Sequence, residues 1–104
     1  MEPAPDRPLL LFFTSERSGP GRRMESLLAH LARKERARLR VSRVYVEDSP
    51  ELAGRLGVRE VPSLVLLAGG QPLARLEGRA SAPRIERMLA PHLAEGEAVS
   101  LGAA

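Results

Sequence analysis

The chain has 104 residues, 43% of them hydrophobic and 28% charged, which suits one globular domain with a modest core. It contains no cysteine, which excludes disulfides, thiolate metal ligands and dithiol chemistry by this chain alone. The net charge is +3, but sixteen basic residues are interleaved with thirteen acidic ones, a mixture that argues against a nucleic-acid surface.

Residues 1–7 are proline-rich and polar and read as a flexible tail. They lack the basic start of a secretory leader, and no run reaches transmembrane length, so the cytoplasm is the expected compartment. Pro8 to Thr14, PLLLFFT, is short, apolar and continuous, the pattern of a buried strand. Ser18 then suits a helix N-cap and Pro20 a first turn. Met24, Leu27, Leu28 and Leu31 recur at helical spacing, which predicts an amphipathic helix to about Glu35 with Arg22, Arg23 and His30 off its apolar face.

Arg40 to Val46 is rich in β-branched residues and predicts a second strand. Pro50 to Leu56 reads as a short helix closed by Gly57. Ser63 to Leu67 and Pro72 to Glu77 read as two strands joined by a Gly69-Gly70 hairpin turn. Ser81 caps a last helix with Ile85, Met88, Leu89 and Leu93 inward, and Pro91 is expected to kink or shorten it. Residues 95–104 read as a second flexible tail, leaving 8–94 as the domain. The order β-α-β-α-β-β-α gives an α/β fold: a mixed four-stranded sheet, its first two strands parallel through a crossover, with helices on both faces.

The strand ending in Phe12-Phe13-Thr14, the turn holding Ser18-Gly19-Pro20-Gly21-Arg22, and the amphipathic helix resemble the thioredoxin family, whose motif there is Trp-Cys-Gly-Pro-Cys-Lys. Gly57 to Leu64, GVREVPSL, resembles the family segment containing a cis-proline. Gly69-Gly70, Gly78 and the closing helix resemble its C-terminal half. The resemblance spans roughly residues 8 to 94 and implies a thioredoxin fold with a cis Val61-Pro62 bond facing the motif turn.

Departures from the family pattern shape the functional reading. Ser18 and Gly21 stand where the family has its cysteines, Arg17 where it has tryptophan, and Phe12 where it has a buried acid. Arg17, Ser18, Gly19, Pro20 and Gly21 thus form a remnant motif without its redox chemistry. The expectation is a redox-inactive interaction or adaptor module rather than an enzyme. Its partner is another protein, met as an extended or acidic segment at Arg17, Ser18, Arg22, Val61 and Pro62. By resemblance, the backbone of Val61 offers strand-like hydrogen bonds, and the arginines and helix N-terminus suit a carboxylate.

Two other readings compete with the adaptor. In glutathione transferases, distant relatives of this fold, a serine near this place stabilises a bound thiolate, so Ser18 could hold glutathione or another thiol ligand. The basic helix face could instead serve a nucleic-acid accessory domain. Ser18 as a nucleophile lacks a base, since His30 lies twelve residues along the same helix, about 18 Å away. No cofactor is expected, and two distant histidines give no metal-ligand spacing.

Overall fold

A computed structural model describes residues 7–102, with side chains except for those of Pro20 and residues 94–102. The elements in chain order are β1 (Leu9–Thr14), α1 (Gly19–Lys34), β2 (Arg40–Tyr45), α2 (Pro50–Arg55), β3 (Ser63–Ala68), β4 (Gln71–Glu77) and α3 (Ala82–Gly102). The sheet has the order β2-β1-β3-β4. β1 runs parallel to β2 and antiparallel to β3, and β3 and β4 are antiparallel. This is the mixed four-stranded architecture that the sequence predicts.

Alternation along β1 divides the interior in two. Leu10 and Phe12 join Met24, Leu28, Leu31, Leu64, Leu66, Ile85 and Leu89 in a core between the sheet and helices α1 and α3. Leu11, Phe13 and Val65 face the other way and pack with Ala53 of α2. The central strands are buried on both faces, which is why they read as unbroken apolar runs rather than alternating ones. Leu10, Phe13, Leu64 and Leu66 are fully buried. At roughly 1.5–3 kcal/mol for each large side chain, these two layers are the main favourable contribution to folding.

Local signals set the connections. Gly69 and Gly70 have φ of 59° and 80°, the positive pair that a tight hairpin turn demands. Ser81 accepts a bond from the Arg84 N–H at 3.4 Å at the start of α3. That helix runs to Gly102, past Glu95, where the sequence reading starts a tail, and Pro91 does not shorten it. Pro91 and Arg87 both lie on the exposed face, so the carbonyl that proline leaves unpaired faces water. Beyond it, Ala94, Glu95, Glu97, Ala98 and Leu101 include several of the best helix formers.

The expected N-terminal tail lies outside the described residues except for Arg7. Arg7 is anchored: its guanidinium donates to the Arg36 carbonyl, and its own carbonyl accepts from Arg40 at 3.4 Å. No helix among the described residues is long and apolar enough to cross a membrane.

Candidate functional site

The remnant motif lies where β1 hands over to α1. The Ser18 N–H donates to the Ser15 carbonyl at 3.0 Å, closing the turn. The Ser18 backbone is extended, with φ −87° and ψ 106°, and its hydroxyl accepts the Gly21 N–H at 2.9 Å. Ser18 is therefore a working N-cap, occupying one of the donors that a helix start leaves unpaired.

Gly21 is buried, and a side chain could not begin there without displacing its neighbours. A Cβ built on it would lie 2.2 Å from Thr14 Oγ1 and 2.8 Å from Ser18 Oγ. Thr14 is 2% exposed, so its hydroxyl fills space that a residue at 21 would need. In the sequence Gly21 has two readings, drift after loss of a cysteine or an opening for a ligand backbone, and neither involves Thr14. The available signal was a polar residue ending an otherwise apolar buried strand.

The turn is also tied from outside. The Ser15 hydroxyl donates to the Glu47 carboxylate at 2.6 Å, and the Arg17 N–H donates to Ser15 Oγ at 3.2 Å. The Ser15 bond, foremost, then the Glu47 and Glu16 backbone and the Arg17 charge, hold the Glu47 carboxyl below the ordinary carboxylate range, against a small opposing effect of burial. Ser15 and Glu47 stand 32 residues apart, so no local pattern in the sequence joins them.

The Val61-Pro62 peptide bond is cis, as the resemblance implies. Phe13 pairs with Ser63 across β1 and β3, which sets Pro62 beside Thr14 at the start of the turn. The two halves of the expected rim therefore meet at one end of the central strands. Their exposures differ. Pro62 is buried, and its carbonyl accepts the Gly78 N–H at 2.8 Å. Val61 is half-buried, and among the described residues its N–H and carbonyl make no hydrogen bond. The accessible part of the loop is thus the Val61 backbone rather than the proline ring.

Arg17, Arg22 and Arg23 are exposed, and none forms an ion pair among the described residues. They do not converge on one point. Arg22 lines a cavity of about 370 Å³ with Thr14, Ser15, Glu16, Glu25 and Tyr45, on the β2 side of the turn rather than toward Pro62. The carboxylates in that lining offset the arginine. His30 is exposed on α1 and His92 half-buried on α3. No cluster of three or more potential metal ligands occurs among the described residues.

Residues 3–91 match the profile of the thioredoxin family. The chain belongs to that family. It is 31% identical over 85 residues to a thioredoxin from Alicyclobacillus acidocaldarius subsp. acidocaldarius, covering 82% of this chain and 81% of that one. The bifunctional thioredoxin reductase/thioredoxin of Mycobacterium leprae is 32% identical over 73 residues, which are 70% of this chain and 16% of that protein. Among solved structures, the germline-specific thioredoxin Deadhead from Drosophila melanogaster superposes with a TM-score of 0.77 at 32% identity, covering 83% of this chain and 81% of its own. This family member thus keeps the thioredoxin fold and carries no cysteine.

Proposed function

We propose that this chain is a redox-inactive thioredoxin-family protein that binds another protein through Arg17–Arg22 and the backbone of Val61. One observation carries the reading: Ser18, Gly21 and Thr14 fit one another as a helix cap with no space left at position 21. A site that had merely lost its thiols would keep room for them. Here the space is filled, while among the described residues the adjacent Val61 peptide groups make no hydrogen bond and so can pair with an extended segment. The exposed Arg17 and Arg22 favour a segment bearing carboxylates.

The Ser18 hydroxyl already accepts a backbone N–H, which weighs against a thiolate there. No observation favours the nucleic-acid reading, since basic and aromatic side chains meet only where Arg43 lies over Tyr45, at 4.8 Å, among the described residues.

Two measurements test the proposal. Purified protein should reduce insulin no faster than a dithiothreitol blank. A capped acidic peptide, titrated by NMR at low salt, should shift the amides of Val61 and of Gly19 to Arg22. Each of Arg17→Glu and Arg22→Glu should weaken that binding by about two- to five-fold, the worth of one exposed charge pair. Insulin turnover would overturn the redox-inactive reading. Shifts at the Ser18 amide with glutathione, and none with the peptide, would replace the adaptor by the thiol-ligand reading.

A further inference from the structure

The sheet has two edges, and they are protected unequally. β4 carries Pro72, and a register shift between Leu66 and Leu67 breaks its pairing with β3. Proline and bulges are the usual devices that keep an edge from recruiting another strand. β2, at the opposite edge, has neither: six residues pair with β1 in unbroken register.

The outward hydrogen-bonding groups of β2 follow from that register. The Arg40 N–H donates to the Pro8 carbonyl at 2.9 Å and the Val46 N–H to the Thr14 carbonyl at 3.0 Å. In a parallel ladder the residues between them alternate, so Ser42 and Val44 also turn inward. Val41, Arg43 and Tyr45 then turn their peptide groups outward. The Tyr45 carbonyl is taken by the Asp48 and Ser49 N–H groups. Among the described residues, both groups of Val41 and both of Arg43 make no hydrogen bond. The Arg43 side chain does not screen them, because Glu25 of α1 holds it in an ion pair and it lies over the Tyr45 ring.

We propose that β2 pairs antiparallel with β2 of a second copy of this chain, about a two-fold axis at Ser42. That register sets Val41 against Arg43 of the second copy, and Arg43 against its Val41. Four reciprocal bonds then use the four free groups and ask nothing of the occupied Tyr45 carbonyl. An axis at Arg43 would put two arginines directly opposite and require that carbonyl.

Charge favours the same arrangement. One end of the strand gathers Arg7, Arg36 and Arg40, none ion-paired among the described residues. The other end leads into Glu47 and Asp48. Antiparallel pairing brings the basic end of each copy beside the acidic end of the other. On the α1 side, a cavity of about 430 Å³ lies over the strand, with Phe12, Leu28 and Val41 among its lining and small residues Ser26, Ala29 and Ala32 on the helix. Those small side chains leave space for α1 of the second copy. Because the β4 edge is blocked, pairing stops at two chains and does not propagate.

The absence of native cysteine makes the test direct. Ser42 is exposed and would form a non-hydrogen-bonded pair on the axis, with Cα atoms about 4.5 Å apart, within disulfide range. Under mild oxidation, Ser42→Cys should give a covalent dimer at least ten-fold faster than Ser81→Cys, an exposed control on the loop before α3. Wild type should sediment with a mass rising toward twice that of one chain as concentration increases. Ala29→Arg, on an exposed helix position, should keep it monomeric over the same range. Arg43→Pro, which removes an outward N–H that the monomer does not use, should do the same. A wild type that stays monomeric overturns the proposal. So does a dimer that survives both substitutions, or equal cross-linking of the two cysteine variants.

Discussion

Gly21 sits in the first turn of a helix, where alanine normally gains up to about 1 kcal/mol over glycine. Here the sign should reverse. The new methyl would lie 2.2 Å from Thr14 Oγ1, and both groups are buried against the end of β1. Overpacking of this kind costs about 1–3 kcal/mol. Gly21→Ala should therefore destabilise, and adding Thr14→Ala should recover most of the loss, a coupling of about 0.5–3 kcal/mol in a double-mutant cycle by urea unfolding. Wild-type stability in Gly21→Ala alone would show that Thr14 yields freely. Ser18→Ala should cost about 1 kcal/mol by loss of the cap. That cap was legible in the sequence because capping is local. The Thr14–Gly21 fit was not, because it joins a strand end to a helix start through side-chain geometry that no spacing rule encodes.

At the scale of elements, the turn before α1 is fastened to the loop after β2 by Ser15 and Glu47. The Glu47 carboxyl has a folded pKa below its unfolded one, chiefly because the Ser15 hydroxyl favours the charged form. Its stabilising contribution is thus complete above the ordinary carboxylate range, about pH 4.3 and upward, and is lost as pH falls through the lowered folded value. The neighbouring amides of Ser15 to Arg17 should loosen over that acidic window, read as faster amide exchange, while the core strands stay protected. In Ser15→Ala, the Glu47 titration followed by carboxyl-carbon NMR should move up toward the ordinary range. An unchanged titration would remove the hydroxyl as the cause. The exposed position of Glu47 makes this a device for local order and a minor contributor to global stability.

The molecule as a whole is asymmetric about its sheet. Eleven buried residues form the layer under α1 and α3, against four on the α2 side, among the described residues. Most of this was legible: the apolar runs gave the central strands, Gly69-Gly70 the hairpin, and the Met24-to-Leu31 spacing the inward face of α1. The end of α3 was not, because Pro91 signals a break that an exposed helix face tolerates. The asymmetry has a dynamic consequence. α2 is a six-residue helix whose N-cap, Ser49, makes no side-chain capping bond, and it contributes one buried side chain, Ala53. Little free energy resists its separate opening, whereas β1 and β3 are buried on both faces and can open only with the whole domain. Native-state amide exchange in low urea should show α2 amides exchanging by local opening, nearly independent of denaturant. The β1 and β3 amides should follow the global unfolding slope. Ala53→Gly should speed exchange in α2 and leave the central strands close to their former protection relative to global stability. The motif turn and the Val61 loop both spring from β1 and β3, so the proposed binding rim would persist while α2 opens. Exchange of α2 at the same rate and urea dependence as β1 would mean that both layers unfold as one unit, and the rim would then share its stability with the weaker face.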